Sequence, residues 1–193
     1  ALRFIDQYRD QDFFLTVSFD EPHGPSLCPQ PYASMYQDYV MPDTPAYHDT
    51  HENKPLYQKL WAQKNGSSAL AGRLAGCNSF IDSEIGRVVD AVHEKLPDAL
   101  ILFTSDHGAA LGAHGLSHKG ASVYDEIARV PLVFAGPGVK QGAVVKQTVS
   151  HADLPATVLD YMGVEIPQAF TGESLLPALA AGEKQQEGHA FVE

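Results

Sequence analysis

Positive charge is scarce in this sequence. Its 193 residues hold 13 Lys and Arg against 24 Asp and Glu, a net charge of −11 with histidine neutral. A nucleic-acid partner needs a basic patch to neutralise its phosphates, and no Lys/Arg cluster occurs, so none is expected. Cysteine is scarcer still. Cys28 and Cys77 make no CxxC and no zinc-ligand spacing, which excludes a zinc cage and a disulfide framework but leaves room for a single disulfide. Long apolar runs are missing as well: none approaches the roughly 18 to 20 residues that cross a bilayer, and ALRFIDQYRD has no signal-peptide apolar region. No membrane partner is expected, and the compartment, cytoplasm or periplasm, is left open. What remains is 44% hydrophobic and 19% charged, the composition of a folded domain with a sizeable core rather than of a disordered chain.

Apolar runs and helical periodicities alternate along the chain. Residues 13–19 are apolar, β-branched or aromatic and bounded by charge, which predicts a buried strand. Seven of the thirteen prolines fall between Pro22 and Pro55, denying regular backbone pairing there. Residues 22–55 therefore read as one long surface loop, a length that points to function. From Ser68 to Leu96 apolar residues recur at helical spacing and Pro97 closes the run, predicting one long amphipathic helix. Residues 99–105 are continuously apolar, as in a parallel strand covered on both faces.

Further elements follow: a short helix over 121–128, strands over 130–135 and 143–149, a helix over 152–162 capped by Gly163, a short helix over 175–180 and a last strand over 189–193. Strands that end in polar clusters, separated by crossover helices, predict an α/β fold with its site at the carboxyl edge of the sheet. GPGVKQG is not GxGxxG and opens no helix, so it reads as a hairpin turn rather than a dinucleotide site. Because the chain opens in a helix-like stretch leading straight into a strand, it is expected to be a piece of a longer or processed protein.

Three of nine histidines fall within a dozen residues: His107 in Ser105-Asp106-His107-Gly108, then His114 and His118, followed by Lys119. Asp106 and His107 sit where an apolar strand ends, which suits metal ligands held by a rigid element; a turn cap with a bonded imidazole suits the spacing equally. Gly108 lets the backbone turn and approach a ligand closely. His114 and His118 are four apart, but Gly112, Gly115 and Gly120 argue against a helix that would make them a zinc pair. They read as residues behind the ligands or on the surface. In Glu21-Pro22-His23-Gly24-Pro25 the flanking prolines present the imidazole stiffly, able to donate to an anion or protonate a leaving oxygen, or simply exposed. Lys119, which follows Gly112 and Gly115 and precedes Gly120, is either a solvated charge or an ammonium reaching inward to a phosphate or sulfate.

In order along the chain, FFLTVSFDEPHGP, FIDSEIGRVVDAV, ILFTSDHGAALGAHGLSHKG, YDEIARVPLVFAGPG, VSHADLPATVLDYMGVEIP and TGESLLPAL closely resemble the sulfatase family of the alkaline-phosphatase-like superfamily. The resemblance runs from about Phe13 to Glu193. It implies an α/β three-layer sandwich with a mostly parallel sheet, present here as a partial domain, with residues 1–193 the C-terminal portion of one sulfatase-like domain. It implies a metal-dependent sulfuric-ester hydrolase in which Asp106 and His107 are metal ligands, and Lys119 and His23 contact the sulfate and act on the leaving oxygen. The implied metal is calcium, with manganese and zinc as alternatives, since imidazole is softer than the oxygen donors calcium prefers. The implied substrate is a small-molecule or saccharide sulfate ester.

The nucleophile of such enzymes is a formylglycine made from Cys or Ser in CxPxR or SxPxR. Neither Cys28 in CPQPY nor Cys77 in CNSFI fits, and no other match occurs. The paired aspartates and the basic segment after the nucleophile are absent too. These are expected upstream, so the isolated chain is expected to be inactive and, with strands missing from its sheet, to self-associate. Two other functions fit the same residues: a phosphonate monoester or phosphodiester hydrolase of the superfamily, and a non-catalytic domain binding anions or partners.

Overall fold

The computed structural model describes residues 1–65, 71–120, 122–185 and 190. They divide into two compact units, Ala1–Pro97 with Ser105–Val130, and Asp98–Thr104 with Pro131–Glu193.

The first unit is built on one long helix. α1 (Leu2–Tyr8), α2 (Tyr32–Met35), α3 (Leu56–Asn65), α4 (Ala71–Lys95) and α5 (Asp125–Ala128) appear in that order. α4 runs for 25 residues, about 37 Å at 1.5 Å per residue, as the apolar periodicity predicts. Positions 68–70 of the expected helix lie outside the described residues. α1 and α2 both pack on α4, and Lys95 near its C-terminus pairs with Asp6 of α1.

α2 reaches α4 through glycine. A Cβ on Gly72 would strike the Tyr36 carbonyl and one on Gly76 the Tyr32 carbonyl, so these two positions, one helical turn apart, admit the loop backbone itself. A smaller cluster of Ala110, Leu116 and Ile127, covered by Trp61 and Tyr124, forms the core beneath the glycine-rich segment.

The segment 22–55 is irregular as expected, holding only α2 and a 3₁₀ turn, Pro45–His48. Residues 13–19 differ from expectation: they join no ladder among the described residues, and Phe14 is 65% exposed. Their apolar character is that of a strand, but backbone pairing needs a neighbour that these residues do not supply.

In the second unit β1 (Ile101–Thr104) and β2 (Leu132–Ala135) pair with Ile101 opposite Ala135 and Thr104 opposite Leu132. The pairing is antiparallel, and among the described residues the strand expected over 99–105 has no parallel neighbour. The physical signature agrees: Phe103 and its partner Val133 are 41% and 53% exposed, whereas Leu102, Leu132 and Phe134 are half-buried. One face is open and the other covered, as antiparallel pairs permit. A run that is apolar at every position does not by itself show which face will be left open.

α6 (Asp153–Tyr161) and α7 (Leu176–Ala181) follow. The Asp153 carboxylate accepts the backbone N–H of Ser150 and of Glu173, and the buried Thr157 hydroxyl accepts that of Leu175, fastening the turn at residues 173–175 against α6. Gly163, at φ 68°, ends α6 in the left-handed conformation expected of a helix cap. Residues 143–149 join no ladder, and the strand expected over 189–193 lies outside the described residues, Ala190 excepted.

Candidate active site

The site is a short stretch of backbone folded over the small core of the first unit. After β1 the chain reaches Ser105, whose hydroxyl donates to the His107 carbonyl at 3.0 Å and shapes a tight turn. Within it the His107 backbone N–H donates to Oδ1 of Asp106 at 2.8 Å. Gly108 follows because nothing larger fits: its N–H donates to the Ile127 carbonyl at 2.8 Å, and a Cβ would collide with the Glu126 carbonyl. The close approach anticipated at Gly108 is made here by the protein's own backbone.

His107 has a defined orientation. Its Nδ1 lies 2.8 Å from the Gly108 carbonyl, which can only accept, so Nδ1 carries the proton and Nε2 presents a lone pair. That nitrogen is 2.7 Å from Nζ of Lys119 and 3.3 Å from Oδ2 of Asp106. The Asp106 side chain is 82% exposed. Partial desolvation pushes its carboxyl up, but the bond from the His107 amide, the adjacent imidazole and the charge of Lys119 outweigh this and hold it below the usual carboxylate range. Three of the four residues assigned catalytic or metal roles from sequence therefore meet at one point: Asp106, His107 and Lys119.

Lys119 is delivered there by the glycine beside it. Gly120 adopts φ 54°, and a Cβ would run into the indole of Trp61, so the chain turns under that ring immediately after the lysine. Upstream, Ala110 N–H donates to the His118 carbonyl and Gly112 N–H to the Leu116 carbonyl, closing the segment on itself.

His23 stands apart from these contacts. It is exposed, its ring bonded to the neighbouring Gly24 carbonyl at 3.0 Å, and among the described residues no hydrogen bond or ion pair links it to Asp106, His107 or Lys119. The turn that carries it is well made: the His23 carbonyl accepts Ser26 N–H, and the buried Ser26 hydroxyl donates to the Pro22 carbonyl.

His118 is exposed, while His114 is the centre of a second cluster. At φ 54° it breaks any helix that could have aligned the two. Its Nδ1 donates to Oδ2 of Asp49 at 2.8 Å, its Nε2 lies 3.5 Å from Glu126, and its ring stacks on Tyr124 with centroids 3.6 Å apart. Lys54 lies 3.6 Å from Asp49 and 5.0 Å over the Tyr124 ring, and buried Gln58 donates to the Tyr124 hydroxyl at 2.7 Å. The bond from His114, followed by that from the His51 backbone N–H, lowers the Asp49 carboxyl to about 2. Sequence spacing gave no sign of Asp49 or Tyr124, because the aspartate lies 65 residues from its histidine and only the fold joins them.

Asp106 and His107 have the right donor chemistry for a divalent cation but supply too few atoms for one. Calcium takes about six to eight oxygens, and among the described residues no group of three His, Cys, Asp or Glu could hold a metal. No helix among them is long and apolar enough to cross a membrane.

Comparison with known proteins agrees with this arrangement. The sulfatase family model matches residues 1–164. The chain is 37% identical over 185 residues to a protein described as "Uncharacterized sulfatase YidJ" from Escherichia coli K12, covering 91% of this chain and 37% of that one. It is 34% identical to an arylsulfatase of Clostridium perfringens, covering 89% and 39%. Among solved structures, the phosphonate monoester hydrolase SpPMH of Silicibacter pomeroyi superposes with a TM-score of 0.82 at 28% identity, covering 100% of this chain and 41% of that one. The chain thus spans about two fifths or less of the length of these relatives. Sulfatases as a family employ a divalent metal and a formylglycine. With 164 of its 193 residues matched, and Asp106, His107 and Lys119 gathered at one turn, the chain belongs to the sulfatase family.

Proposed function

We propose that this chain is the C-terminal part of a metal-dependent sulfuric-ester hydrolase built as an alkaline-phosphatase-like three-layer sandwich. The observation that carries the reading is the ammonium of Lys119 beside Nε2 of His107 and the exposed carboxylate of Asp106. Asp106 and His107 are two ligands of a divalent metal, calcium before manganese or zinc. The other ligands and the formylglycine come from sequence outside these 193 residues, which contain no CxPxR or SxPxR.

Lys119 offers donors to the oxygen on which charge develops as the ester bond breaks, a positioning and electrostatic task. His23, on its Pro-framed turn, is the second donor to that oxygen and the group able to protonate it. The substrate is a small-molecule or saccharide sulfate ester, in keeping with the arylsulfatase among the relatives. His114 and His118 stay outside the reacting groups. Alone, the chain lacks an activated nucleophile and, with large apolar side chains such as Phe14 and Val17 uncovered, self-associates.

The complete protein should hydrolyse an aryl sulfate, and the pure 193-residue chain should not. Turnover by the chain alone would overturn the assignment of the nucleophile. A second reading rests on the phosphonate monoester hydrolase superposition over the whole chain. A paired assay of aryl sulfate against aryl phosphonate in the complete protein decides between the two, and loss of both activities would favour a binding domain.

A further inference from the structure

Two thiols that the candidate site leaves unused lie together in the first unit. Cys28 follows the His23 turn by five residues and is partly accessible to solvent; Cys77 sits on α4 with no accessible surface, and neither is bridged. They meet because Gly76 admits the loop backbone onto the helix. A Cβ at Gly76 would come within 3.6 Å of the Cys28 sulfur, so that sulfur lies against the helix backbone one residue before Cys77. The contact is fixed on both sides. Arg73 of α4 donates to the Pro25 carbonyl before it, and the Tyr36 and Ser79 hydroxyls bond at 2.9 Å beyond it. Bridging needs the two sulfurs to close to about 2.05 Å from neighbouring backbones, and Gly76 already brings the Cys28 side chain to the helix beside Cys77.

We propose that Cys28 and Cys77 form a redox couple that closes to a disulfide by exchange with a low-molecular-weight disulfide such as oxidised glutathione. The Cys28 thiolate attacks one sulfur of the small disulfide, whose S–S bond breaks to release one small thiolate and leave Cys28 in a mixed disulfide. Cys77, having given its proton to solvent, attacks the Cys28 sulfur and expels the second small thiolate. Two protein thiols lose two electrons, one small disulfide gains them, and the two protons end on the two small thiols.

Access sets the order of attack. Burial, reinforced by the neighbouring Cys28 thiol, pushes the Cys77 thiol up to about 11, so its thiolate is scarce and the closing step is the slow one. The product ties the segment carrying His23 to α4. This inference holds whichever ester the protein cleaves.

The test is to incubate the natively folded complete protein with oxidised glutathione at neutral pH, denature it in an alkylating reagent and map the peptides by mass spectrometry. The expected result is loss of both alkylatable thiols and a Cys28–Cys77 linked peptide that dithiothreitol reverses. In Cys77→Ser the reaction should stop with glutathione on Cys28. Three results would overturn the proposal: both thiols alkylated after exchange, glutathione retained on Cys28 of the unmutated chain with Cys77 still free, or a bridge found only between separate chains.

Discussion

Nζ of Lys119 lies 2.7 Å from Nε2 of His107, the one ring nitrogen left with a lone pair once Nδ1 donates to the Gly108 carbonyl. Asp106 stands 3.3 Å from the same nitrogen, so a single imidazole separates an ammonium from an exposed carboxylate. Cation and anion face one small volume, which suits a site where a metal and an oxyanion are neighbours.

Lys119→Ala in the complete protein should lower kcat by roughly 10²-fold or more, the scale of one oxyanion donor. Steady-state kinetics on an aryl sulfate reads this directly. His23→Ala should fall by a similar factor, and an unchanged rate would remove His23 from the reaction.

Asp106→Ala should release the divalent metal of the complete protein, because a carboxylate held ionised is the stronger of the two donors this chain contributes. Metal content after desalting, measured by atomic emission, should drop well below one equivalent while the far-ultraviolet circular dichroism is retained.

Asp49 makes stability depend on acid. Its folded value of about 2 lies below the ordinary 3.8, so the ionised form is favoured in the folded state. The contribution, about 2 kcal/mol for a shift of this size, is present above pH ~4 and is lost as pH falls toward 2. Denaturant titrations over that range should lose this increment in the unmutated chain and much less of it in Asp49→Asn.

Gly120→Ala should lower the melting temperature and, in the complete protein, also turnover. The added Cβ meets the Trp61 ring at a φ of 54° that alanine adopts only under strain. Either Trp61 or the backbone next to Lys119 must move. A melting shift with unchanged kcat would separate the packing of Trp61 from the placement of the lysine.

Much of this was written in the residues themselves. α4 follows from the apolar spacing closed by Pro97, and the Asp106–His107 turn follows from an apolar run ending in Asp-His-Gly. Gly120 directly after Lys119 announces a backbone with unusual freedom, which the structure uses to turn the chain under Trp61. Pairing direction was not legible, because β1 is apolar at all four positions save Thr104 and its open face appears only when Phe103 and Val133 are seen opposite each other. The Asp49–His114–Tyr124 cluster was hidden for another reason. Each of its members is ordinary in its own segment, and only tertiary contact stacks the imidazole between a tyrosine and a carboxylate.

Gly72 and Gly76 carry a consequence for how the first unit comes apart. Two glycines in the opening turns of α4 weaken it by about 1 kcal/mol each relative to alanine, so its start leans on the peptide groups of residues 32–36 that cover it. Amide hydrogens of the first two turns should therefore exchange together with those of α2, as one opening unit, while the rest of α4 stays protected. A protease nicking the proline-rich segment would fray the helix from the same end.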